Sequence, residues 1–195
     1  MGTSQSAGIT ARPRGWRPRL SNAACCHTQG REDKGRAAAR AMKKNDRITA
    51  YMETLGADPR SALDPHYQGF FTCFNRGEYY QAHEVLEHLW LQTPGADHAF
   101  FKGLIQIAGA FVHLQKQFLA PDHPKDGLRL RPAARLLARG LRYIDPYGPV
   151  HLRLDIAALH LLCARHAAMI DAGHFTRNPW HPEALPQLTL LPAAG

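Results

Sequence analysis

From about Asp46 onward, apolar residues recur every three or four positions in successive blocks. That period marks amphipathic α-helix, and no run alternates with period two over a useful length, so no sheet is expected. The spacing predicts helices over 46–55, 65–75, 78–91, 97–118, 132–144 and 154–172. The breaks have local chemical causes. Asp64-Pro65 supplies an N-cap carboxylate and a proline at the first helical position. Gly77 and then Thr93-Pro94-Gly95 end the second and third segments, and residues 121–127 and Pro146 to Pro149 read as loops. Beyond residue 175, Asn178-Pro179-Trp180-His181-Pro182 opens a proline-interrupted stretch expected to be extended. Its Trp180, Leu185, Leu188 and Leu190 are free to lie against the bundle. The expectation is an all-α protein, a single five- to six-helix bundle over 42–175 with an extended tail over 176–195. Helices three and four are expected to pack antiparallel through their short turn.

Residues 1–41 lack this periodicity and are rich in Gly, Ser, Ala and Arg, so a disordered basic tail is expected there. Met42-Lys43-Lys44-Asn45 reads like a start of translation, which makes 1–41 upstream sequence; a basic arm and an organelle transit peptide are the competing readings. The tail also changes the meaning of the net charge of +8. Residues 1–44 hold ten Lys and Arg against Glu32 and Asp33, while the remainder holds 14 basic and 14 acidic side chains. The helical part is neutral, so nucleic acid is not an expected partner of the folded domain. Cys25, Cys26, Cys73 and Cys163 have neither C-x-x-C nor zinc-ligand spacing and read as reduced thiols. The longest uncharged run of the core, Gly103 to Gln115, is too short to span a bilayer, and arginines fall where a secretory signal needs apolar residues. A soluble cytoplasmic protein with no membrane partner is the expectation. A homo-oligomer is compatible with it.

On the third helix, Tyr79, Ala82, Leu86, Leu89 and Trp90 share one face. Glu87 lies one turn after His83, roughly 40° away around the axis, so the two sit at the border of that face. Glu84 and His88 form a second pair further toward solvent. The fourth helix pairs an apolar face, Phe100, Leu104, Ile107, Phe111 and Leu114, with a stripe of Ala99, Gly103, Gln106, Ala110, His113 and Gln117. A solvent-facing stripe would carry Lys and Glu. This one carries neither, so it is expected to face another element and to leave Gln106 and His113 partly buried and in need of partners.

Phe74-Asn75-Arg76-Gly77-Glu78-Tyr79-Tyr80-Gln81-Ala82-His83-Glu84-Val85-Leu86-Glu87-His88-Leu89-Trp90, followed by Phe101-Lys102-Gly103-Leu104-Ile105-Gln106 and His113, resembles the bacterial and archaeal "domain of unknown function" family numbered 309. The shared pattern is F-N-x-G-x-[YF]-[YF]-x-A-H-E-x-x-E-x-x-W, then F-x-G-L-I-Q and a later His. The resemblance covers roughly 64–118 and weakens beyond. It implies a small all-α bundle without an assigned activity.

Several familiar site chemistries fail on spacing. His83-Glu84-x-x-Glu87 lacks the second imidazole of H-E-x-x-H, and the reversed motif lacks its first His. Ferritin-like di-metal sites need Glu-x-x-His pairs, and Glu84-x-x-Glu87 is not one. Three readings stay open. In the first, His83, Glu87, Gln106 and His113 form a hydrogen-bonded network that only fixes how two helices dock. In the second, His83, Glu84 and Glu87 are acid–base groups, with Trp90, Gln106 and His113 holding a small ligand. In the third, His83, Glu87 and His113 bind one divalent metal ion, a set suited to zinc or iron. His88 is expected to be a solvated surface residue, and Tyr79, Tyr80 and Trp90 to be core. Arg131, Arg135, Arg139 and Arg142 line one face of the fifth helix, which is expected to be solvated, a phosphate-bearing partner being the alternative.

Overall fold

The computed structural model of the protein describes residues 44–193; the expectations for the basic tail, for Met42 as a start and for Cys25 and Cys26 lie outside them. Among the described residues the chain forms α1 (Lys44–Leu55), α2 (Pro65–Asn75), α3 (Tyr79–Gln92), α4 (His98–Leu119), α5 (Leu130–Ile144) and α6 (Ile156–Ala172). Successive helices from α2 to α6 pack against one another, with α1 against α2 and α3. No helix of the described residues is long and apolar enough to cross a membrane. The predicted all-α bundle is the observed one.

The helix ends follow from local chemistry. The Asp64 carboxylate accepts the N–H of His66 at 2.7 Å ahead of Pro65, capping α2. At the other end, the N–H of Gly77 reaches the Phe74 carbonyl and that of Glu78 reaches the Cys73 carbonyl, both at 2.9 Å. This is a Schellman cap, and it needs the positive φ of +76° that Gly77 takes. The α4 start is capped from a distance. Tyr147 Oη accepts the N–H of Phe100 at 3.1 Å and donates to the Ala96 carbonyl, while Asp97 turns to His151 Nε2 at 2.8 Å.

The core centres on α4, whose Phe100, Leu104, Ile107, Phe111 and Leu114 are fully buried. The small-residue stripe does face another element. α4 and α5 cross where Gly103 and Gly140 meet, so closely that a Cβ built on either would lie within 3.0 Å of the other's carbonyl oxygen.

Four expectations need correction. A two-residue hairpin, β1 (Val150–His151) with β2 (Leu154–Asp155), takes the first two positions expected of α6, pairing Val150 with Asp155 and His151 with Leu154. Its turn residues, Leu152 and Arg153, have φ of 44° and 63°, values usually signalled by Gly or Asn. Short 3₁₀ turns at Asp126–Leu128 and Asp145–Tyr147 overlap the expected loops and each runs one residue outside them. Tyr80 is not core: it is 53% exposed, with its hydroxyl on Glu84 at 3.2 Å. His88 is not simply solvated, because its ring stacks on His66 with centroids 4.8 Å apart.

The C-terminal stretch lies on the bundle. Trp180 and Leu188 are buried, and the indole N–H donates to Tyr79 Oη at 2.9 Å. Leu190 bridges to Leu154.

Candidate functional site

The motif residues divide by where they point. Phe74, Tyr79, Ala82 and Leu86 are wholly buried and build the α2–α3–α4 core. Asn75 holds the C-terminal stretch: its Nδ2 donates to the Leu188 carbonyl at 2.9 Å and its Oδ1 accepts the Leu188 N–H at 2.8 Å. Glu78 accepts from Tyr51 Oη at 2.6 Å. These residues assemble the fold rather than a reaction centre.

His83, Glu84 and Glu87 are half-buried on α3. The Cδ2 of His83 lies 4.0 Å from the position a Cβ would take on Gly109, where Leu136 Cδ1 approaches from α5 to 3.6 Å. Because α3 and α4 run antiparallel, Gln106, one turn before Gly109, is level with Leu86 and Glu87, one turn after His83. Glu84 accepts from Tyr80 and lies 4.0 Å from the Arg47 guanidinium.

Two polar atoms in this region are fully enclosed and, among the described residues, have no hydrogen-bond partner: Trp90 Nε1, a donor, and Gln106 Oε1, an acceptor. The Trp90 ring is stacked on His98 across the α3–α4 turn, with centroids 4.8 Å apart.

His113 is turned to a different neighbour. Its Nδ1 accepts from Arg129 Nη1 at 3.0 Å, and Arg129 is in turn held by Asp126. An arginine has no acceptor, so the neutral ring carries its hydrogen on Nε2. Burial, with Arg129 and Lys116 adding to it, pulls the His113 pKa below the ordinary imidazole value against the opposing pull of Asp126. Among the described residues no group of three or more His, Cys, Asp or Glu side chains is placed to hold a metal ion. The structure therefore does not assemble His83, Glu87 and His113 as a ligand set. The Nδ1 of His113 is taken by Arg129 of the following segment rather than by a residue of α3.

The motif residues and His113 lie in one continuous stretch that runs from α2 through α4, and that stretch is what comparison with known proteins picks out. Residues 67–120 match the family model described as Domain of unknown function (DUF309). The resemblance drawn from the motif is thereby supported. No curated protein and no solved structure matches the chain. The DUF309 segment starts at Tyr67 on α2 and ends at Ala120, the residue that caps α4. It contains His83, Glu84, Glu87, Trp90, Gln106 and His113, and excludes α5, α6 and the C-terminal stretch that pack around it.

Sequence reasoning missed Arg129 as the partner of His113, because sixteen residues and a loop separate them. It also missed the Tyr79–Trp180 bond. The available signal was Trp180 itself, a large aromatic in a stretch otherwise read as extended.

Proposed function

We propose that the protein is a small-ligand-binding helical module whose site lies between α3 and α4. His83, Glu84 and Glu87 line one side, Gln106 lies opposite, and Trp90 is the wall. The observation that carries this reading is the pair of enclosed, unpartnered atoms, Trp90 Nε1 and Gln106 Oε1. An unmet buried donor or acceptor costs roughly 1–3 kcal/mol, so two on facing helices are a standing cost that a ligand bearing both an acceptor and a donor removes. The ligand enters by parting the α3–α4 turn beside Trp90, where His98 stacks on the indole. Glu84 is engaged by Tyr80 and Arg47, which suits a fixed acceptor better than a proton shuttle.

The second reading, a helical interaction protein whose cluster only specifies packing, draws on the van der Waals contact of His83 with the Gly109 position on α4. Trp90→Phe and Gln106→Leu separate the two. Each removes an unmet polar atom while keeping most of the volume. On the ligand reading both raise the melting temperature of the ligand-free protein, by up to about 1–3 kcal/mol in stability, and abolish the shifts that a thermal-shift screen of polar metabolites finds with the original chain. Destabilisation by both substitutions, with no compound shifting the original chain, overturns the ligand reading in favour of packing.

A further inference from the structure

The fifth helix buries Leu130, Ala133, Leu137, Gly140 and Ile144 and leaves Arg131, Arg135, Arg139 and Arg142 exposed. Those four arginines are not equivalent. Arg131 lies over the Phe175 ring, 4.2 Å from its centroid. Arg135 and Arg139, one turn apart, flank a concavity of about 250 Å³ between α4 and α5, closed by His113, Pro132 and Leu136. A merely solvated basic face would be convex and laced with carboxylates. Here, among the described residues, no ion pair engages Arg135 or Arg139, whereas the neighbouring Arg129 is neutralised by Asp126.

We propose that this concavity binds the phosphate group of a small phosphate ester. Two guanidinium forks at i and i+4 on one helix present paired N–H donors to a group with several acceptor oxygens, an arrangement that matches phosphate better than a single carboxylate. His113 adds a further donor. With Nδ1 occupied by Arg129, its remaining N–H is on Nε2, and the ring lines the same hollow. Pro132 and Leu136 supply an apolar floor for the organic part of the ester. The volume lies just under the roughly 300–1,000 Å³ usual for small-molecule pockets, which suits a sugar phosphate and not a larger cofactor. A nucleic-acid backbone would need a basic surface broader than one concavity, and the helical part of the chain is neutral overall. Arg135 and Arg139 lie beyond the segment matched by the family model, so the site is a property of this chain's fifth helix. It stands apart from the Trp90–Gln106 pair, and either can fail without the other.

The test is titration calorimetry and thermal shift on the full chain at constant ionic strength, with ribose 5-phosphate, inorganic phosphate, ribose and citrate, alongside a short RNA duplex. The expected result is saturable stabilisation by ribose 5-phosphate, weaker binding of inorganic phosphate and none of ribose or citrate. The double variant Arg135→Gln/Arg139→Gln keeps the ligand-free melting temperature, since both side chains are exposed, and weakens ribose 5-phosphate binding at least tenfold. His113→Gln, tested separately, weakens it less. Undiminished binding by the double variant places the phosphate elsewhere and overturns the proposal. Citrate or inorganic phosphate binding as tightly as the ester overturns it as well, as does RNA binding that depends on the same two arginines.

Discussion

Asn75 shows how much one side chain of the motif contributes to the fold. Both atoms of its amide pair with the backbone of Leu188, as a neighbouring strand would, and its own carbonyl accepts from Gln187 Nε2 at 3.0 Å. Asn75→Ala strands the N–H and carbonyl of a residue that is only 5% exposed. The expected loss is roughly 1–3 kcal/mol in urea unfolding, with proteolysis accelerated beyond residue 175 before the bundle itself is cut. Asn75→Asp restores only the acceptor and sets a carboxylate against the Leu188 carbonyl, so it is expected to be no milder. Equal protease resistance of Asn75→Ala and the original chain would show that the strap is held by Trp180 and Leu188 alone. The motif therefore mixes residues that build the fold with residues that offer chemistry. A reading by residue type alone does not separate them, because Asn75 is as polar as Gln106.

At the scale of elements, the helices were legible because their boundaries are set locally. The Asp64 cap, the Gly77 Schellman turn and the prolines act over a few residues, and the period of the apolar positions does the rest. The stripe on α4 was legible for the same reason: its small and polar residues announce a close neighbour, though not which one. What could not be read are contacts made across the chain. Tyr147 capping α4, Arg129 turning His113 away from α3 and the Leu152-Arg153 turn of the hairpin all depend on partners that no local pattern names. The helix crossing makes a paired prediction. In Gly140→Ala the new methyl meets the Gly103 carbonyl oxygen at 2.8 Å and Ile107 Cγ1 at 2.7 Å. Backbone cannot yield as a side chain does, so α4 and α5 must separate, at a cost of about 1–3 kcal/mol. Gly109→Ala, on α4, meets only ordinary contacts, at 3.6 Å from Leu136 and 4.0 Å from His83. It also gains helix propensity, up to about 1 kcal/mol, and is expected to be neutral or stabilising in thermal denaturation. Equal penalties for the two substitutions would refute the close crossing.

At the scale of the molecule, three histidines on three helices share one electrostatic condition. His88 on α3, His113 on α4 and His166 on α6 all have pKa values lowered in the fold, with burial the first cause in each. For His88 the stacked His66 adds to the effect against Asp64; for His166, Arg165 adds to it against the Leu162 carbonyl, which accepts the ring's Nδ1–H at 2.8 Å. The sign follows from linkage. As pH falls through about 6.5, the ordinary value, the unfolded chain takes up protons that the folded chain refuses. Stability is thus fully present above that pH and declines below it, until the lowered folded-state values are passed. Each such group contributes a slope of at most about 1.4 kcal/mol per pH unit, and His88, the least buried of the three, contributes least. Asp126 works in a different window. Its pKa is lowered chiefly by the hydrogen bond from Arg129, so what it contributes is lost only below the ordinary carboxylate range. Urea unfolding of the full chain between pH 7.5 and 5 is therefore expected to show falling stability well before carboxylates titrate. His166→Leu is the informative variant, since that ring packs edge-on against the buried Phe111 and is the most enclosed of the three. It removes one titrating group and should flatten the slope between pH 6.5 and 5, whatever it does to stability at pH 7.5. A slope unchanged by His166→Leu would place the acid sensitivity at His113 and His88, and stability that is flat or rising from pH 7 to 5.5 would show that none of the three is held neutral by the fold.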